Sequence, residues 1–208
     1  MFFSATPYSH IAEVIFVGDP MCSWCYGFTP ELTKLRAELK GVPFSMIMGG
    51  LRDGDLFDAD KLKNHLAYWE AVEKMTGLPF DATALSQEGF NYTTEPTCRA
   101  VLTVKALDES KMYDMYSALQ QAFYAEGQDV TQGDVIVKVA ASIGFEAAAF
   151  RTLYSSEVML KATVADKQKA GTYGVSSFPT LIIIDKQGHM SQIRGYKKYE
   201  ELRALIKK

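Results

Sequence analysis

Residues 18–32, "GDPMCSWCYGFTPEL", decide how this chain is read. Cys22 and Cys25 stand three apart, just after an apolar run and just before a helical pattern. Such a pair can be a redox couple, half of a metal site or two ordinary buried thiols. At a helix start, free backbone N–H groups and the positive end of the dipole favour a thiolate on the first cysteine. The second, one turn on, is within reach of a sulfur–sulfur bond and can resolve a mixed disulfide. Cys22 is then the exposed attacking thiol and Cys25 the more buried resolving one. A zinc site needs further ligands, yet there is no second pair, and His10, His65 and His189 are scattered singly.

Working outward, residues 12–18 ("AEVIFVG") read as a buried strand closed by Gly-Asp-Pro. Residues 22–41 read as a helix ending at Gly41, with Leu32, Leu35 and Leu39 at helical spacing and Pro30 expected to kink it. Residues 42–50 read as a second strand closed by two glycines. Strand, helix and strand in this order form a βαβ unit with parallel pairing. From about 56 to 156 the periodicity is helical almost everywhere. Leu62, Leu66, Trp69 and Val72 share one face, as do Tyr113, Tyr116, Leu119 and Phe123, and Asp134 reads as the cap of a helix that stops at Gly144. Residues 156–174 read as another helix, 178–196 as a hairpin turning at Lys186-Gln187-Gly188, and the last residues as an amphipathic helix. The expected fold is α/β: residues 1–52 and 157–208 form one discontinuous domain in the order β-α-β, α-β-β-α, interrupted by an all-helical insertion over 53–156.

Composition narrows the class. The chain has 208 residues, enough for a sizeable core, and a net charge of −3 with mixed signs throughout. No basic stripe points to nucleic acid, and no apolar run approaches a membrane span. The opening "MFFSATPYSHIAEVIFVGDP" lacks the basic and long apolar regions of a secretory leader, so a cytoplasmic location is expected. Three cysteines, an odd and low number, are not a disulfide framework.

With Pro30 after the cysteine pair and Phe178-Pro179-Thr180 entering a late strand, the sequence resembles the thioredoxin superfamily. The helical insert and the run Asp19, Cys22, Trp24, Cys25, Tyr26 and Gly27 are similar to the DsbA-like (FrnE-like) branch. The resemblance implies a thioredoxin fold, a cis proline at Pro179 and a cytosolic thiol–disulfide oxidoreductase. Its catalytic pair would be Cys22 and Cys25, with Phe178, Pro179 and Thr180 holding substrate beside Cys22 and Trp24 adding an apolar platform. It also implies accessory roles for residues of the insert: Cys98 as a second thiol acceptor or a holder of glutathione, and Asn91 and Arg99 near the site. Two departures stand out. Phe16 occupies the place of the family's buried acid, which leaves Asp19 as a candidate for proton handling. The dipeptide between the cysteines is Ser23-Trp24 rather than Pro-His, so the couple is expected to be less oxidising than the periplasmic enzyme's potential of about −120 mV.

The expected partners are disulfide-containing proteins or small-molecule thiols, with no bound cofactor, no metal, and glutathione as a candidate redox partner. The same insert topology hosts glutathione-dependent isomerases and transferases of the 2-hydroxychromene-2-carboxylate isomerase and kappa type, which use a hydroxyl residue in place of the pair. A holdase making no use of the cysteines is a third reading.

Overall fold

A computed structural model describes residues 8–56 and 58–207. Residues 1–7, on which the reading of the N-terminus partly rests, lie outside the described residues. The first strand, β1 (Ile11–Gly18), is buried along nearly its whole length, as its Val, Ile and Phe residues demand. It leads through Asp19-Pro20 into helix α1 (Ser23–Glu38), which returns to strand β2 (Phe44–Met48), parallel to β1. Far along the chain come helix α7 (Glu157–Thr172), the antiparallel hairpin of β5 (Thr180–Asp185) and β6 (Met190–Arg194), and helix α8 (Tyr199–Ile206). The four strands make one sheet in the order β2-β1-β5-β6.

Alternation along the strands sends side chains to two cores. Val14, Phe16, Met46, Leu181 and Ile183 pack with Leu32 and Leu35 of α1 and Leu202 of α8. Ile15, Val17, Ile47 and Ile182 pack with Ala170 of α7 on the other face. Pro30 sits inside α1 without ending it; the helix stops at Glu38, three residues before the expected Gly41.

The segment between β2 and α7 is mostly helical: α2 (Ala59–Thr76), α3 (Glu95–Leu107), α4 (Met112–Gln120), α5 (Gly133–Ser142) and α6 (Ala147–Tyr154). It differs from the expected all-helical block in one element. Strands β3 (Asp53–Leu56) and β4 (Asn91–Thr93) pair as a short antiparallel ribbon beneath the start of α3. Helix α2 is capped by the Asp58 carboxylate on the Lys61 amide and by Gly77 at φ +72°. Helix α5, by contrast, starts one residue before Asp134 and takes Gln132 as its cap; Asp134 pairs with Arg151 instead. A π-turn (Gln121–Ala125) follows α4 and brings Tyr124 into an aromatic cluster with Trp69 and Tyr26, with ring centroids 4.9 and 4.8 Å away. Tyr26 lies on α1, so this cluster fastens the insert to the cysteine helix. Among the described residues no helix is long and apolar enough to cross a membrane.

His65 on α2 packs edge-on against Tyr92, 5.1 Å between centroids. Burial, aided by the Arg52 charge, pushes its pKa from 6.5 down to about 4. The folded state therefore resists a proton that the unfolded chain takes up freely below pH 6.5. His65 thus adds stability above pH 6.5 that is lost as pH falls toward 4. Denaturant titrations of wild type and His65→Gln should diverge over this window, with the wild type losing more stability in acid, by on the order of 1 kcal/mol once solvent screens the half-exposed ring. Parallel curves would show that His65 titrates normally.

Candidate functional site

Cys22 is the N-cap of α1, with extended backbone (φ −91°, ψ 115°), so its side chain stands at the end where the helix N–H groups are free. Its amide donates to the Asp19 carbonyl at 3.1 Å, closing the Asp19-Pro20-Met21 turn. Both thiols are free. Cys22 was expected to be exposed; it is 6% exposed, against 0% for Cys25. Its cover is the loop before β5: Cys22 Sγ lies 3.8 Å from the Phe178 carbonyl oxygen, which accepts from the thiol. Cys22 is thus the more accessible of the two thiols.

The Phe178–Pro179 peptide bond is cis. Pro179 is buried, and its carbonyl accepts from Gly195 at 2.8 Å, which fixes the loop before β5 to the loop after β6. Thr180, also buried, opens β5 and donates its hydroxyl to the Ser177 carbonyl at 2.8 Å. The Phe178 ring lies over Gly49 so closely that a Cβ there would fall 2.1 Å from its Cζ. Gly49, read from sequence as a strand terminator, is thus a seat for the residue whose carbonyl meets Cys22. Trp24 is half-buried beside Tyr196, 6.3 Å between centroids, and Tyr196 also contacts Phe28. The two rings form an apolar platform beside the cysteine end of α1.

Beneath the pair, burial pushes the Cys25 thiol well above its ordinary value, reinforced by the neighbouring Cys22. The backbone of Asp19 opposes this rise. The Asp19 side chain is fully buried. Its carboxylate accepts from the amides of Met21 (2.8 Å) and Leu51 (2.7 Å) and from the Cys98 thiol (3.4 Å). Burial raises its pKa, against the pull of these donors. It is therefore more than the turn residue that Gly-Asp-Pro suggests.

Cys98, in the first turns of α3, is fully buried and reaches the site through Asp19. The other two accessory candidates are placed differently. The Arg99 guanidinium is taken up by Glu95 (3.0 Å) and by Tyr154, whose ring it overlies at 4.2 Å. The side chain of Asn91, an exposed residue, lies over Gly54 in the ribbon.

Two residues of the site were legible only as core positions or not at all. The Tyr116 hydroxyl donates to the Asp19 carbonyl (3.4 Å). The Tyr92 hydroxyl donates to the Met21 carbonyl, holding the turn before Cys22. Gly18 permits the Tyr116 approach, since a Cβ there would lie 3.0 Å from that hydroxyl and 2.4 Å from the Phe16 ring. Tyr116 belongs to a helical stripe that reads as core, so only the fold reveals which backbone group its hydroxyl meets.

Residues 13–207 match the family described as a DSBA-like thioredoxin domain. A structure from Nitrosomonas europaea, described provisionally as a protein disulfide isomerase, is 32% identical, with 93% of this chain and 95% of that chain covered and a TM-score of 0.85. The cytosolic disulfide reductase DsbM of Pseudomonas aeruginosa, determined with GSH, is 23% identical, with 93% and 96% covered and a TM-score of 0.76. At that identity the likeness is one of fold. The ClpXP adapter protein SpxH of Halalkalibacterium halodurans is 22% identical over 199 residues, 90% of this chain. The chain spans 64% and 65% of the lengths of the two curated relatives it matches.

Proposed function

The chain belongs to the DSBA-like thioredoxin domain family, and from that premise we propose that it is a thiol–disulfide oxidoreductase or disulfide isomerase working through Cys22 and Cys25. The observation that carries this reading is the contact of Cys22 Sγ with the Phe178 carbonyl at the N-terminus of α1, with Cys25 buried one turn below. The Cys22 thiolate attacks a substrate disulfide laid along the loop before β5. One substrate sulfur leaves as a thiolate and the other stays bonded to Cys22. Cys25, once deprotonated, attacks the Cys22 sulfur. The Cys22–Cys25 bond forms, the second substrate thiolate departs, and two electrons have passed from the dithiol to the substrate. Oxidation of a substrate dithiol is the same sequence reversed.

Trp24 and Tyr196 give an apolar surface for the segment flanking the substrate disulfide, and Phe178, Pro179 and Thr180 set the edge along which it lies. The substrate is a disulfide-containing protein or a small-molecule thiol in its oxidised form. Glutathione is the proposed redox partner, and the cytoplasm the proposed compartment. The free thiol pair favours this reading over a glutathione-dependent isomerase, which would put a hydroxyl there.

The direct test is turnover. With reduced glutathione as electron donor and insulin as substrate, the protein should accelerate disulfide reduction, and Cys22→Ser should return the rate to that of glutathione alone. Unchanged activity in Cys22→Ser would assign the reaction to another part of the molecule.

A further inference from the structure

Two glycines follow β2, and they are glycine for different reasons. Gly50 has φ +63°, a backbone conformation that favours glycine. Gly49 does not have a positive φ, so its backbone would accept any residue. What excludes a side chain there is the Phe178 ring: a Cβ at Gly49 would lie 2.1, 2.2 and 3.0 Å from its Cζ, Cε1 and Cε2. The backbone around Gly49 is held at three points. The Met48 amide donates to the Asp166 carboxylate of α7 at 2.7 Å, the Gly49 amide to the Gly18 carbonyl at 2.8 Å, and the Leu51 amide to the Asp19 carboxylate at 2.7 Å. Shifting this segment would break hydrogen bonds that leave polar groups unpaired. A side chain at position 49 must therefore displace Phe178. That residue lies between two ties of its own loop, the Ser177 carbonyl on the Thr180 hydroxyl and the Pro179 carbonyl on the Gly195 amide. Its ring is half-buried and packs against both cores, so swinging it into water would expose apolar surface. Its carbonyl is the group that meets Cys22 Sγ at 3.8 Å.

We propose that Gly49 is a positioning residue for the exchange: by giving the Phe178 ring its seat, it holds the Phe178 carbonyl at Cys22 Sγ, and with it the edge along which a substrate disulfide lies. This role rests on the exchange reaction proposed above. The link between β2 and β3, through which the chain enters the insert, thus acts on the attacking thiol by way of Phe178. The carbonyl contact holds the Cys22 thiol against the loop, so its loss frees the sulfur for a small reagent. A disulfide substrate needs more than a free sulfur. It must lie in line with Sγ, and it loses that alignment when the loop shifts. The two reactions should therefore move in opposite directions when the seat is filled.

The experiment compares wild type, Gly49→Ala, Phe178→Leu and the double variant. Iodoacetamide labelling of the reduced proteins, resolved by mass spectrometry of the cysteine peptides, gives a rate for each thiol. Insulin reduction by glutathione gives the exchange rate. In Gly49→Ala the labelling of Cys22 should rise about two- to fivefold, the equivalent of one weak hydrogen bond, while exchange falls about ten- to a hundredfold. Cys25 and Cys98 should stay protected. Leucine lacks the ring atoms that the added methyl would meet, so in the Phe178→Leu background Gly49→Ala should change either rate by less than about twofold. Unchanged labelling of Cys22 in Gly49→Ala would show that the ring swings aside without its carbonyl, and would overturn the proposal. An equal rise at all three thiols, which marks a loosened fold, would do the same, as would equal effects of Gly49→Ala in both backgrounds. If Gly49→Ala alone does not fold, a double variant that folds and labels at the Phe178→Leu rate supports the proposal, and a double variant that also fails to fold overturns it. Absence of exchange in wild type would instead remove the exchange reaction itself, and the labelling rates would still decide what Gly49 does to Cys22.

Discussion

Cys25→Ser protein mixed with a disulfide substrate should stop at a covalent adduct on Cys22. The adduct should outlast the wild-type intermediate by on the order of a thousandfold or more, because an internal thiol one helical turn away acts at a very high effective concentration. The relative cover of the three thiols is what points to Cys22. Cys22 is the residue at the open end of α1, whereas Cys25 is fully covered and holds its proton well above the ordinary thiol range. Cys98 is equally covered, and its thiol is committed to Asp19. Mass spectrometry of peptides from the trapped protein should therefore find the substrate on Cys22, with Cys98 unmodified. Cys22→Ser should give no adduct. Substrate attached to Cys98 would mean that the insert opens during the reaction.

The second large effect is on stability. Trp69→Ala should destabilise the protein by about 3–5 kcal/mol, the range for removing a buried tryptophan. Trp69 is 2% exposed, and its ring touches Phe80, Phe123 and Tyr124 at 5.3, 5.4 and 4.9 Å. Tyr124 stacks on Tyr26 of α1, so the cavity would open at the junction between the insert and the cysteine helix. The neighbouring Tyr68, 60% exposed, is the control, and Tyr68→Ala should change stability by less than about 1 kcal/mol. Chemical denaturation of the two variants measures both. A loss below about 1 kcal/mol for Trp69→Ala would mean that the cluster repacks and does not fasten the insert.

Much of this architecture could be read from local pattern. The buried strand at 12–18, the cysteines at a helix start and the hairpin at 178–196 carry their own signals of composition and spacing. The ribbon of β3 and β4 does not. Asp53-Gly54-Asp55-Leu56 has two acids, no alternation of apolar residues, and a glycine at φ +128°. It pairs because the Arg52 and Thr94 backbones meet at the entrance to α3, with the Thr94 amide 3.0 Å from the Arg52 carbonyl. That pairing is a consequence of the fold.

The candidate site divides along the same line. Cys22 and Cys25 sit three apart at a helix start, so spacing locates them, and the resemblance adds Pro179 at a strand start. Asp19 was legible as a turn residue, but its burial depends on Leu51 and Cys98 arriving from distant segments. Arg99 shows the converse. It lies in the first turns of α3, one residue after Cys98, yet points to the Tyr154 ring because adjacent helical residues project in different directions. The function of Gly49 could not be seen without knowing that Phe178 settles on it.

The central claim is that Cys22 and Cys25 are one working dithiol couple. Equilibration of the protein in glutathione buffers of graded poise, with thiol alkylation and mass spectrometry of the cysteine peptides, tests it most directly. A reversible two-electron transition confined to Cys22 and Cys25 is expected between about −270 and −120 mV. Failure to form a Cys22–Cys25 disulfide at any poise would contradict it.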